Sequence, residues 1–382
     1  MSGDRGDRQR SEGREAKVPP AAAGVETGEH GRGPGEAAAD GSVAASAGMG
    51  SFARSSMPIV VALPLIALAS LFLPGRGDSY PVYVAGLAGI SVILAVSLNI
   101  VNGFTGQFSL GHAGFMAVGG YVAAVIAMAM SGSQIAFLPE ALSDALLFLG
   151  ATIVGGLAAA FIGLLVGLPS LRLRGDYLAI VTLGAGEIIR VFLENLHSLG
   201  GATGLNNIPP YTSTFWIFLW AFVVVLVARR ILDSTHGRAL LAVREDELAA
   251  EAMGVNTTRY KVQAFVIAAF FAGVAGSLFG HYLQLLSPKE FTWVKSFEVV
   301  AMVVLGGLGS ISGAVIAAIV LTILPEALRP LQDYTGVDFR MVIYASLLLV
   351  MMLVRPQGLL GRREIWDLFP GKRAAGVGGG SR

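Results

Sequence analysis

The 382-residue chain is 54% hydrophobic and only 14% charged, with a formal net charge of +1 and a mean hydropathy of +0.67. Soluble chains carry about 25% charged residues, so most of this length belongs in lipid, and a charge so close to zero is no signature of a nucleic-acid partner. Cysteine is absent, which excludes disulfides and thiolate metal sites and leaves the redox compartment undetermined.

Residues 1–54 are rich in Gly, Ala, Glu and Arg and nearly free of large apolar side chains. They cannot bury enough surface to fold and read as a disordered tail, whose alternative role is a partner-binding arm. No apolar run follows Met1 closely enough to be a cleaved signal peptide. The membrane domain is expected over 55–361 and a second tail over 362–382.

Crossing the hydrocarbon core takes roughly 20 residues, fewer where protein shelters the helix. Ten segments qualify: Met57–Leu73, Val82–Val101, Ala113–Met130, Ala145–Leu168, Tyr177–Leu193, Phe215–Leu232, Val262–Leu286, the short Phe297–Leu305, Gly313–Leu328 and Met341–Val354. The expected fold class is therefore all-α, a polytopic helical bundle of about ten spans, some broken at Gly-rich stretches. Positive residues in short loops set the orientation. With ten crossings, Arg172 and Arg174, the stretch Arg229 to Lys261, and Arg355, Arg362, Arg363, Lys372 and Arg373 share one side with both termini, which makes that side cytoplasmic. The loops Ser131–Asp144 and Gly200–Thr214 carry no Lys or Arg and fall opposite. Lys289, Lys295 and Arg329 oppose the rule but are a minority.

Two stretches interrupt the helical pattern. The first, Asn99–Gly120, reads NIVNGFTGQFSLGHAGFMAVGG; the second, Leu305–Ala314, reads LGGLGSISGA. Glycine permits non-helical backbone and close helix approach. Such backbone survives at membrane depth only when sheltered by protein or a water-filled cavity, and a Gly-interrupted segment in each half of a chain points to a transport path. The candidate path residues are Asn99, Asn102, Gln107, Ser109, His112, Gly306, Gly307 and Gly309. The competing reading is tight packing through small residues, as in Gly156/Ala160 or Gly273/Ser277. Packing does not require Asn102, Gln107, Ser109 and His112 together.

Glu187, Arg190 and Glu194 lie in or near a span at spacings of three and four, so Arg190 can pair with either carboxylate. Ionisable groups at this depth face a cavity or a partner. A structural ion pair and a gate or path lining are both open.

Between two apolar runs lies a polar insert, 232–261, containing DSTHGRALLAVREDELAAEAMGVNTTRYK. The pattern predicts a short helix, with Asp246 capping its start and Gly254 ending it in a left-handed turn. Leu248, Ala249, Ala252 and Met253 share one face, and Glu247 and Glu251 lie elsewhere. Such a helix, tied at both ends to spans, is either a solvated loop helix or a handle that another protein pushes. No G-x-x-x-x-G-K-[ST] phosphate loop is present, no His-Glu-x-x-His zinc pattern occurs, and none of His112, His236 and His281 has metal-ligand spacing. No metal and no resident cofactor are expected.

Four stretches in order are NIVNGFTGQFSLGHAGFMAVGGYVAA, LRLRGDYLAIVTLGAGEIIR, GRALLAVREDELAAEAMGVNTTRYKVQAFVIAAFFAGVAGSL and VVLGGLGSISGA. From about Val82 to the RPQGLLG at Arg355–Gly361, the chain resembles the LivM-type permeases of branched-chain amino acid ABC transporters. The resemblance implies a non-enzymatic membrane subunit of an importer in a prokaryotic cell membrane. Its implied partners are a second permease, two cytoplasmic ATPases that use the ATP, and an extracytoplasmic solute-binding protein. It also implies that REDELAAEAMG is the loop that docks into the ATPase, through Arg244, Glu245, Asp246, Glu247, Glu251, Ala252 and Gly254. The wider family carries urea, short amides or sugars as well. The competing classes are a stand-alone secondary transporter relaying protons through Glu187, Arg190 and Glu194, and a channel. Neither needs a capped helix in the insert.

Overall fold

The computed structural model describes residues 80–130, 139–171, 173, 175–329, 345–346, 349–350, 353–355, 357–361 and 364, all within the compact unit Ser55–Arg382. The expected tail over 1–54, the span Met57–Leu73, most of Met341–Val354, and Arg172, Arg174, Arg362, Arg363, Lys372 and Arg373 lie outside the described residues.

The first helix, α1, runs Tyr80–Asn99 and continues as a π-helical turn, Ile100–Phe104. After a loop come α2, His112–Met130, α3, Glu140–Ser170, and α4, Asp176–Asn195. Two short 3-10 turns and the two-residue strand β1, Leu205–Asn206, lead to α5, Thr214–Asp233. The insert then forms two helices, α6, Thr235–Glu245, and α7, Glu247–Ala252. The long α8, Thr257–Leu283, follows, then strand β2, Leu285–Leu286, helix α9, Trp293–Gly306, and helix α10, Ile311–Ala327. Eight of the ten expected spans fall on these helices. The expected Val262–Leu286 stops at Leu283, because Gln284 takes a left-handed conformation (φ +59) and the chain turns into β2. β2 pairs antiparallel with β1, Leu205 opposite Leu286.

Five stretches, Tyr80–Phe104, His112–Met130, Leu142–Ser170, Thr214–Asp233 and Thr257–Leu283, are long and apolar enough to cross a membrane. The chain is a multi-pass, all-α membrane protein. With no hydrophobic drive between helices in lipid, close contact depends on small residues. α8 packs against α1, α2 and α3, and glycine backbones meet where it crosses them. A Cβ on Gly119 would collide with Gly273, and one on Gly276 would collide with the carbonyl of Met116. Gly155 of α3 faces the carbonyl of Gly119 across 2.5 Å to a would-be Cβ. Thr152 of α3 and Ser277 of α8 add a buried hydroxyl–hydroxyl bond of 2.9 Å. The packing expected at Gly156 and at Gly273/Ser277 is present, and it builds the centre of the bundle.

The β1–β2 pair lies at one end of the bundle, beside the end of α8. The insert α6–α7 lies at the other end, between the last turn of α5 and the first turn of α8. α1 and α9 both finish toward the insert end, and both glycine breaks follow there.

Candidate functional site

The two breaks, some 200 residues apart in sequence, meet. Asn99, fully buried at the end of α1, binds both faces of the second break. Its Oδ1 accepts from the backbone N–H of Gly309 at 2.9 Å, and its Nδ2 donates to the carbonyl of Ser310 at 3.1 Å. The approach requires glycine at 103: a Cβ there would strike Asn99 Oδ1 and lie 2.5 Å from the Gly309 nitrogen. Gly307 and Gly309 sit at φ +109 and +94, a region closed to most side chains, which lets the chain reverse between α9 and α10.

Some of the remaining polar residues of the first break are also engaged within the bundle. Asn102 Oδ1 accepts from the N–H of Ser109 at 3.1 Å and so closes the loop after the π-helical turn. His112 lies 2.9 Å from the Ser97 hydroxyl, joining the start of α2 to the last turns of α1. Asn102, Gln107, Ser109 and His112 are all buried. Within the described structure Asn102 Nδ2 and Gln107 Oε1 have no hydrogen-bond partner. Of the eight residues singled out in the sequence, Asn99, Gly307 and Gly309 build the crossing and Gly306 packs against Gly313. Asn102 also borders a cleft of about 1260 Å³ beneath the crossing, lined among others by Phe108, Arg244, Leu308 and Arg355.

Residues at the end of the expected membrane domain, and one just past it, complete the crossing. Within the RPQGLLG stretch, the N–H of Leu359 donates to the carbonyl of Leu305 at 2.7 Å, and a Cβ on Gly358 would lie 2.5 Å from the nitrogen of Gly307. Glu364, three residues past the boundary expected at 361, is buried. Its carboxylate accepts from the N–H groups of Ile311 and Ser312 at 2.7 and 3.0 Å and from the Ser312 hydroxyl. A carboxylate there answers the free N–H groups and positive dipole end of α10. Sequence reasoning missed Glu364 because nothing local marks its partners, which lie 53 and 52 residues earlier in the chain.

The insert presents the opposite chemistry. Asp246 accepts from the N–H groups of Leu248 and Ala249 at 2.9 and 3.1 Å, capping α7 as its sequence predicts. Gly254 follows the helix at φ +84. Thr257 at the start of α8 donates to Glu251 at 2.7 Å, and Lys261 of α8 pairs with Glu247 at 2.5 Å. These contacts clamp α7 to α8. Ala250 turns inward, while Leu248 is 64% and Met253 84% exposed, beside exposed Ala249 and Ala252. The apolar stripe read from the sequence therefore faces away from the bundle. The sequence reading missed α6, whose start is capped by Ser234 accepting from the N–H of Gly237 at 3.2 Å. Arg244, in the last turn of α6, points inward and donates to the carbonyl of Gly103 at 2.8 Å; Glu245 is its second partner, at 3.0 Å.

The third cluster pairs its charges along one helix and reaches one neighbour. Arg190 pairs with both Glu187 (2.7 Å) and Glu194 (2.8 Å) along one face of α4. The other oxygen of Glu187 accepts from the N–H of Trp293 at 2.9 Å and caps α9. Every charge is answered, and the cluster ties α4 to α9.

The family model described as branched-chain amino acid transport system / permease component matches residues 80–354. The high-affinity branched-chain amino acid transport system permease protein LivM of Escherichia coli (strain K12) is 38% identical over 336 residues, covering 79% of this chain and 74% of that protein. The probable branched-chain amino acid transport permease protein LivM of Methanocaldococcus jannaschii is 27% identical, covering 72% and 92%. The high-affinity branched-chain amino acid transport system permease protein LivH of Escherichia coli (strain K12) is 28% identical, covering 73% and 94%.

Proposed function

This chain belongs to the permease-component family of branched-chain amino acid transport systems, and from that premise we propose that it forms half of the translocation path of an ATP-driven importer of branched-chain amino acids. Its partners are a second permease of the same family, two ATPases on the cytoplasmic side and a solute-binding protein on the other side. The resemblance to both LivM and LivH supports a pair of related, non-identical permeases.

The observation that carries this reading is α7. An isolated solvated helix has no reason to be clamped at both ends while holding Leu248 and Met253 in water, since each exposed apolar side chain forgoes about 1.5–3 kcal/mol of burial. A groove on a separate ATPase supplies that burial. The chain has no phosphate loop of its own, so the motor is another polypeptide. When the ATPases close, a gripped α7 moves with α8, through Glu251–Thr257 and Glu247–Lys261, and with α5 through α6. The path residues around the break crossing, Asn99, Asn102, Gln107, Ser109, His112, Gly306, Gly307 and Gly309, lie where those helices converge on the insert end. Asn, Gln and Ser beside small apolar walls suit a zwitterion with an aliphatic side chain. The Glu187–Arg190–Glu194 cluster is fully paired and serves as a brace, which leaves the proton-relay reading without a free carboxylate.

The test is purification of the permease pair with its candidate ATPases, then leucine-, isoleucine- and valine-dependent ATP hydrolysis in proteoliposomes supplied with the binding protein. Leu248→Asp with Met253→Asp should remove the ATPases from the complex while the permease still inserts. Retention of a coupled complex by that double variant would overturn the docking role of α7. Uptake of urea in preference to the three amino acids would overturn the solute.

A further inference from the structure

Arg244 is the polar contact from the insert to the break crossing, beside the apolar packing of buried Leu240 near Ile100. Its side chain is 18% exposed and reaches across 141 residues of sequence to Gly103. The acceptor carbonyl sits in the last turn of the π-helical segment, where carbonyls lack an onward N–H partner, and a guanidinium makes the charge-assisted form of the bond. Glycines of both breaks make room for it. A Cβ on Gly106 would lie 2.7 Å from Arg244 Cγ, and one on Gly309 would lie 2.9 Å from Arg244 Nη1. Arg244 thus occupies a socket assembled from Gly103, Gly106 and Gly309. Only Glu245 separates it from Asp246, the residue that caps α7.

We propose that Arg244 is the positioning residue that joins the docking helix to the crossing of the two breaks, so that the two shift as one body. This rests on the docking reading of α7. In physical terms, a push on α7 reaches the membrane along the covalent ends α5 and α8, through the apolar packing of α6 near Ile100, and through Arg244 directly onto the loop after α1. The Arg244 route is the one that also reaches the turn between α9 and α10, at Gly309. Without it the covalent ends can tilt while the crossing stays where Asn99 holds it.

The chain contains no cysteine, and a Cβ on Gly106 lies 3.5 Å from Arg244 Cβ, within the ~3.5–4.5 Å range that a disulfide spans. A covalent bond can stand in for the noncovalent one; a cysteine at Gly106 is strained because φ is +70 there, and comparing the oxidised and reduced forms of one variant cancels that strain. The experiment uses the whole reconstituted transporter and reads solute moved per ATP hydrolysed, with assembly followed by co-purification. Arg244→Ala and Arg244→Cys should lower that ratio at least tenfold with the complex intact. Oxidising Gly106→Cys/Arg244→Cys, with the crosslink verified by mass spectrometry, should raise the ratio at least fivefold over the reduced form of the same variant. Wild-type stoichiometry in Arg244→Ala, or no rise on crosslinking, overturns the inference while leaving the docking reading standing. Failure of the wild-type chain to bind ATPases at all overturns the docking reading and this inference with it.

Discussion

α1 with its π-helical turn and α3 are equally apolar, yet 89% of the most apolar window of the first is buried and only 39% of the second. The outward face of α3 exposes Leu157, Phe161 and Leu165, each more than half accessible, whereas the central helices bring Gly119, Gly273 and Gly276 into backbone contact. The difference teaches that in lipid the core is marked by smallness and polarity more than by apolarity. Leucine and phenylalanine are as comfortable against acyl chains as against protein, whereas a glycine lets two backbones approach and a buried hydroxyl or amide needs a partner.

The sharpest way to break the comparison is at a central glycine. Gly276→Leu should destabilise the permease by about 3 kcal/mol or prevent its folding, because its Cβ would enter the Met116 carbonyl and neither backbone has room to retreat. The thermal midpoint in detergent and the yield of monodisperse protein report this. Asn99→Ala comes next, with an expected loss of about 2 kcal/mol, because the buried Gly309 N–H and Ser310 carbonyl lose their partner; retention of the wild-type midpoint would show that the breaks are held together by other contacts. Glu187→Gln should cost less than about 1 kcal/mol in the same assay, since the cluster is part-exposed and the amide oxygen still caps Trp293. At the periphery the sign reverses. Gly150 of α3 has nothing within 4 Å of a would-be Cβ, so Gly150→Ala should raise stability by roughly 0.5–1 kcal/mol through helix propensity alone. A destabilising result there would identify a hidden packing partner on the outer face of α3.

Legibility in the sequence followed the same division. The spans could be read because a continuous apolar run is a local property, and eight of ten coincide with described helices. The cap of α7 could be read because Asp246 serves N–H groups only two and three residues away. The pairing of Arg190 was half legible, since spacing gave both carboxylates, while the bond from Glu187 to the N–H of Trp293, 106 residues on, was not. The polar residues of the first break were noticed for their chemistry, but their partners were not. Nothing near Asn99 announces Gly309, and nothing near Glu364 announces the start of α10.

The sequence by itself determined that the chain lives in lipid, where its helices run, where two of them break, and that a capped polar insert separates two spans. These follow from transfer free energy and from hydrogen bonds closed within a few residues. Only the tertiary structure decided that the two breaks form one crossing, that Arg244 turns inward to it while Leu248 and Met253 turn outward, and that Glu364 finishes α10. Those choices depend on which backbones come close enough for a carbonyl or a carboxylate to find its donor, and that distance is set by glycines far apart in the chain.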